Sequence, residues 1–177
     1  MSAPDFFVDF ARTGLIYGLG LGTTPEQWSE GLGGGFISDV DKKHKQMRQD
    51  YGLVELTFSR KEESWRCFNI SVQAHRLWWT PEGAPARVRL EYGAFPKFIR
   101  FADVCSKLNE FGFEPQLIDD KQISDHTRYY IPETKILIYV LSDDVAAEPD
   151  RMPPGTLWAM YLSIDAEVWA EPTRKTR

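Results

Sequence analysis

Apolar positions recur along this chain with two periods, and each period marks its elements. Phe6, Phe7, Phe10 and Ile16 fall at helical spacing and predict a short helix over residues 5–16. Thr24, Pro25 and Gln27 supply an N-cap, a first-turn proline and a capping box. Trp28 and Leu32 then share one helical face, and Gly33 ends the helix. Residues 37–46, ISDVDKKHKQ, are polar throughout and read as an exposed connection. Asp50, Tyr51 and Gly52 form a turn, after which Leu53, Val54, Leu56 and Phe58 make a largely apolar strand, followed by a polar loop at 61–64. In WRCFNISVQ, Phe68, Ile70 and Val72 alternate with Cys67, Asn69 and Ser71, the period of a half-buried strand.

Residues 80–86, TPEGAPA, hold two prolines and a glycine and read as a linker. Beyond it the order repeats. Phe101, Val104, Cys105, Leu108 and Phe111 give a helix that Gly112 closes, and 119–126 is a polar connection. TRYYIPETKILIYVLS predicts a hairpin turning at Pro-Glu-Thr, 143–155 a long acidic loop, and LWAMYLSID a last strand.

The pattern therefore predicts an α+β fold, an antiparallel sheet with helices on one face. It is organised as two similar helix–hairpin–strand halves, 1–79 and 87–170, on one shared core, with a disordered tail at 171–177. LTFS echoes YVLS, and FNISV echoes MYLSI. Leu56, Phe58, Phe68, Ile70, Ile138, Val140, Tyr161 and Ile164 are expected on the sheet, the larger apolar ones buried.

Composition narrows the class. A length of 177 residues with 42% hydrophobic and 27% charged positions suits one globular domain. No apolar run reaches the length of a membrane span, and the first residues carry Asp5 and Asp9 where a secretory signal needs apolar continuity. Cys67 and Cys105 are too few for a disulfide framework and read as buried thiols of a cytoplasmic protein. A net charge of −5 argues against nucleic acid and fits a basic partner.

The candidate chemistry is thin. Gly18, Gly20 and Gly22 do not make the G-x-G-x-x-G of a dinucleotide loop, and neither a P-loop nor a common zinc or nucleophile motif occurs. Asp119, Asp120, Asp125 and His126 lack the spacing of a calcium loop. Cys67 and His75, eight apart on a strand, are too distant to pair. No catalytic residue, metal or cofactor is expected. Trp78 and Trp79 are adjacent, so an extended chain would turn one outward as an interface anchor. Asp39, Asp41, Asp119, Asp120, Asp125, Asp143, Asp144, Glu148 and Asp150 would attract a basic partner over long range.

The string GLGLGTTPEQWSEGLGGGFISD followed by MRQDYGLVELTFSR resembles a group of actinobacterial proteins with an L-G-x9-L-G start and an R-x-D-Y-G-L-V-E-x-x-F strand. The likeness covers residues 15–75 and, by pattern, the second half. These in turn resemble the immunity proteins encoded beside polymorphic toxins. The helix-then-hairpin order is also similar in architecture to β-lactamase-inhibitor-like and SmpA-like repeats. The resemblance implies a non-enzymatic protein that neutralises a cognate toxin domain, often a basic nuclease. The other reading is a small enzyme or a ligand- or metal-binding domain using the cleft between the halves, with Asp119, Asp125 and His126.

Overall fold

Helix α1 (Ala3–Thr13) starts where the Asp5 carboxylate turns back to accept from the Ser2 backbone N–H, and ends where Gly14 adopts the left-handed conformation. Phe6, Phe7, Phe10, Val8 and Ala11 are all buried, so this helix lies inside the protein rather than on it. The computed structural model describes residues 1–43, 45–61, 63–118, 125–142 and 150–164. α2 (Pro25–Leu32) follows, its capping box formed by Thr24 and Gln27 as the sequence indicates. Trp28 and Leu32 are its buried face, and Gly33 stops it with φ +88°.

Eight strands form one antiparallel sheet: β1 (Ile37–Asp41), β2 (Gln46–Asp50), β3 (Val54–Lys61), β4 (Ser64–Val72), β5 (Gln116–Ile118), β6 (His126–Ile131), β7 (Ile136–Leu141) and β8 (Leu157–Ser163). Their order is β1-β2-β3-β4-β8-β7-β6-β5, two four-stranded meanders joined where β4 pairs with β8. Between the meanders the chain makes two 3₁₀ turns, Ala74–Trp78 and Pro81–Gly83, then α3 (Ala86–Tyr92) and α4 (Phe101–Glu110). The segment 80–86 is packed: Ala84 is buried, and the Gly83 carbonyl accepts from the Leu53 N–H at 3.0 Å.

One face of the sheet carries the core. Leu56, Phe58, Cys67, Ile70, Ile136, Ile138, Met160 and Leu162 share a single buried cluster with residues of all four helices. The α+β architecture with helices on one face is thus present. α1 ties α3, α4 and the second meander together. Asp5 meets Lys107 of α4 at 2.8 Å, Asp9 accepts from the Tyr92 hydroxyl of α3 at 3.0 Å, and the Ala11 carbonyl accepts from Thr134 in the β6–β7 turn at 2.7 Å.

Several expectations need correction. Residues 37–46 are not a connection but β1, a turn and the start of β2. Every β1 residue is exposed, and β2 turns only Met47 and Gln49 inward, so this edge hairpin leaves no apolar period to read. α3 and β5 were not foreseen either. Phe68 is only half-buried, because Thr57 faces Asn69 while Phe58 faces Cys67, leaving Phe68 as the extra residue of a β-bulge. The bulge reverses the alternation and sends Cys67 into the core. Ile164 follows the end of β8 and is exposed.

Candidate functional site

The strand registers define what the second sheet face presents. Reading across one rung gives Asp50, Glu55, Ser71, Tyr161, Leu137, Tyr130 and Gln116. The next rung carries Arg48, Thr57, Asn69 and Ser163. This face is polar and aromatic where the other is aliphatic.

On its β2–β3 side the face is locked by Arg76 from the first 3₁₀ turn. Its guanidinium donates to Asp50 and Glu55, both at 2.8 Å, and to the Gly52 carbonyl at 3.0 Å. Gln73 donates to the Ser71 hydroxyl at 2.9 Å, and that hydroxyl to the Glu55 carbonyl at 3.3 Å. These groups are satisfied by one another and read as structure.

Past Tyr161 the face opens into a groove of about 440 Å³ walled by Asn69, Leu137, Tyr139, Trp158, Tyr161 and His126. Tyr139 and Tyr161 meet edge to face at 5.4 Å. Trp158 is the extra residue of a second bulge, since Tyr139 faces Ala159 and Val140 faces Leu157. His75 stacks flat on its indole at 4.4 Å and donates from Nδ1 to its carbonyl at 3.2 Å, while His126 meets it edge-on at 4.6 Å.

Burial is the main cause that holds both imidazoles below the ordinary histidine pKa of 6.5. Arg76 and His126 add to this at His75, against the Trp158 carbonyl and Glu55, while Asp125 opposes it at His126. Each ring is harder to protonate folded than unfolded. Its contribution to stability is therefore fully present above about pH 6.5 and is lost as the pH falls below that value. The urea midpoint should fall between pH 7.5 and 5.5, and the double variant His75→Asn/His126→Asn should show a shallower fall. Parallel curves for the two proteins would remove the histidines from the account.

A second groove, about 380 Å³, adjoins the first across His126 and Trp158. It is lined by Trp78, Trp79, Asp125 and Asp150, four residues singled out in the sequence, together with Arg151 and Met152. The tryptophans sit at the end of a 3₁₀ turn rather than on an extended chain. Trp78 is half-buried, 6.3 Å from the Phe98 ring, and Trp79 is 76% exposed. Asp39 and Asp41 lie apart from it, on β1 at one end of the sheet. Asp119, Asp120, Asp143, Asp144 and Glu148 lie outside the described residues.

Comparisons with family models, with curated proteins and with solved structures find no match to this chain. Geometry alone speaks to chemistry. Cys67 points into the core, where burial pushes its thiol up to about 12, so it forms no nucleophile with His75. The glycine stretch holds structure: Gly22 N–H donates to the Cys67 carbonyl and Cys67 N–H to the Thr23 carbonyl, both at 2.8 Å. Among the described residues no three His, Cys, Asp or Glu side chains are grouped to hold a metal, and no helix is long and apolar enough to cross a membrane.

Sequence reasoning found the tryptophan pair but not Trp158, His75, Tyr139 or Tyr161. The one available signal was Asn69 and Ser71 alternating with core residues, which marks a polar second face.

Proposed function

We propose that this is a cytoplasmic, non-enzymatic immunity-type protein that binds and blocks a cognate toxin domain of basic surface. The observation that carries the reading is Trp79. A tryptophan left 76% exposed, beside a second tryptophan and two carboxylates, is the composition of an interface anchor. The net charge of −5 and the resemblance over residues 15–75 support the same reading. Nucleic acid and membrane have no place in it, and neither does a cofactor.

The experiment is growth rescue. The toxin domain encoded beside this gene is expressed in a bacterial host with and without this protein, and growth is scored. Rescue is expected, and its loss when Trp79 becomes alanine is expected too, since a hot-spot truncation costs about 2–4 kcal/mol of binding. The substitution should leave the melting temperature within about 2 °C, because an exposed surface change alters stability by no more than about 0.5 kcal/mol. Undiminished toxicity alongside the wild-type protein would end the proposal.

The sheet order also supports a duplicated unit. FNISV lies in β4 and MYLSI runs through the end of β8, and Ile70 and Leu162, third in each string, pair directly at the joint. LTFS lies in β3 and YVLS runs through the end of β7, strands that hold the same place in each meander. An alignment of relatives in which residues 54–72 and 136–164 match no better than chance would remove this reading.

A further inference from the structure

A third groove, about 490 Å³, lies where the chain after α2 meets the start of α3. Four charged side chains line it, Asp50, Arg76, Glu82 and Arg89, two of each sign. Asp50 and Arg76 answer each other at 2.8 Å, and the Asp50 carboxylate also accepts from the Gly52 N–H at 2.9 Å. Glu82 stands in the second 3₁₀ turn and Arg89 on α3, both exposed. Among the described residues neither side chain has an ionic or hydrogen-bonding partner, and they do not pair with each other. One carboxylate and one guanidinium thus face the same space unanswered.

Part of the wall is bare backbone. Gly34 and Gly35 line the groove, and neither N–H makes a backbone hydrogen bond. A Cβ at Gly34 would meet only open space, so the chain's own packing does not ask for a glycine there. The floor is fixed, since Arg76 donates to the Gly52 carbonyl and the Gly83 carbonyl accepts from the Leu53 N–H. A site held in shape before its ligand arrives loses little affinity to ordering.

These features select the charge of an occupant. A phosphate dianion would gain one guanidinium but meet the Glu82 carboxylate, and a simple cation would meet Arg89. A neutral apolar group would answer neither. Beside the charges stand Ile37, 70% exposed, with Ala84 and Ala86, which offer apolar surface. We propose that this groove binds a zwitterion, an α-amino acid with an apolar side chain. Its carboxylate accepts from Arg89 and the Gly34 and Gly35 N–H groups, and its ammonium donates to Glu82. This goes beyond the partner-binding reading above and does not depend on it.

The test is a titration of the protein, labelled with ¹⁵N at its thirteen glycines, with leucine, leucine amide and N-acetyl-leucine. The amide lacks the carboxylate and the acetyl derivative lacks the ammonium. Leucine should give saturable shifts centred on Gly34, Gly35, Gly52 and Gly83, the glycines that line the groove. Each analogue should bind on the order of tenfold more weakly, the scale of one lost charge-assisted hydrogen bond. On Arg89→Gln, leucine and leucine amide should bind alike; on Glu82→Gln, leucine and N-acetyl-leucine should bind alike. Both positions are exposed, so both variants should fold. Absence of saturable shifts up to about 10 mM leucine, ten times the weak end of the usual range for small substrates, would overturn the proposal. So would equal binding of all three ligands, or discrimination that survives both substitutions. N-acetyl-leucine binding as tightly as leucine would assign the groove to a chain terminus instead and remove the zwitterion.

Discussion

Trp28→Ala should lower the unfolding free energy by about 3–5 kcal/mol, the range for truncating a fully buried tryptophan. Trp28 has no exposed surface and is among the largest side chains wholly inside the protein. It sits on a two-turn helix that packs against β4 and α3, so removing it leaves a void and detaches α2 at once. Its indole N–H has no oxygen or nitrogen partner; it lies against the Cys67 sulfur, a weak acceptor. Trp28→Phe should therefore cost much less, on the order of 1–1.5 kcal/mol, because it keeps most of the apolar volume and removes a poorly satisfied donor. Urea denaturation of both variants checks this. Equal losses would mean that the indole N–H matters more than the packing. Leu108, equally buried in α4, belongs to the same class of sites, whereas half-buried Phe68 should cost less than a core phenylalanine.

The second large effect is expected at Gly52. Its φ is +81°, and a Cβ placed there would lie 2.1 Å from the Gly83 carbonyl oxygen. That oxygen is backbone and already accepts from the Leu53 N–H, so it cannot swing aside without breaking the hydrogen bond. Gly52→Ala combines a left-handed alanine, about 1–2 kcal/mol, with the loss of a buried backbone bond, about 1 kcal/mol more. A loss of roughly 2–3 kcal/mol in chemical denaturation is expected by adding these. Arg76 bonds to the Gly52 carbonyl and holds Asp50 and Glu55, so the damage should spread to the sheet's second face. Gly34→Ala is the control: nothing lies within 4 Å of its Cβ position and its backbone is not left-handed, so it should be nearly silent. Similar losses at both glycines would contradict the packing described around Gly83.

What could be read from the sequence follows from which residues make local contacts. The α2 cap and the β6–β7 hairpin declare themselves within a few residues and are where the sequence puts them, as are Phe101, Val104 and Leu108 on the apolar face of α4, whereas Phe111 is exposed past the helix end and Cys105 is half-buried. β1 is exposed throughout and β2 turns only Met47 and the polar Gln49 to the core, so no apolar period marks either and composition alone favoured a loop. α3 buries only Val88 and Tyr92 while Leu90 is 87% exposed, which blurs its apolar face. The site was legible at Trp78 and Trp79, whose adjacency is unusual in itself, and in part at Asp125, His126 and Asp150. The contact of His75 with Trp158 joins residues 83 apart and depends on a bulge, which no local pattern announces.

The joint between β4 and β8 has a consequence during synthesis. The first meander can form as soon as β4 has left the ribosome, but the strand that covers β4's outer edge comes about 85 residues later. At roughly 5–20 residues per second, the nascent chain carries Ile70 and Val72 on an unpaired strand edge for several seconds or longer. Such an edge is a template for any extended segment nearby. The interval before β8 arrives, rather than the finished fold, is where this protein is most exposed to aggregation, and slowing translation through residues 73–156 should lower its soluble yield.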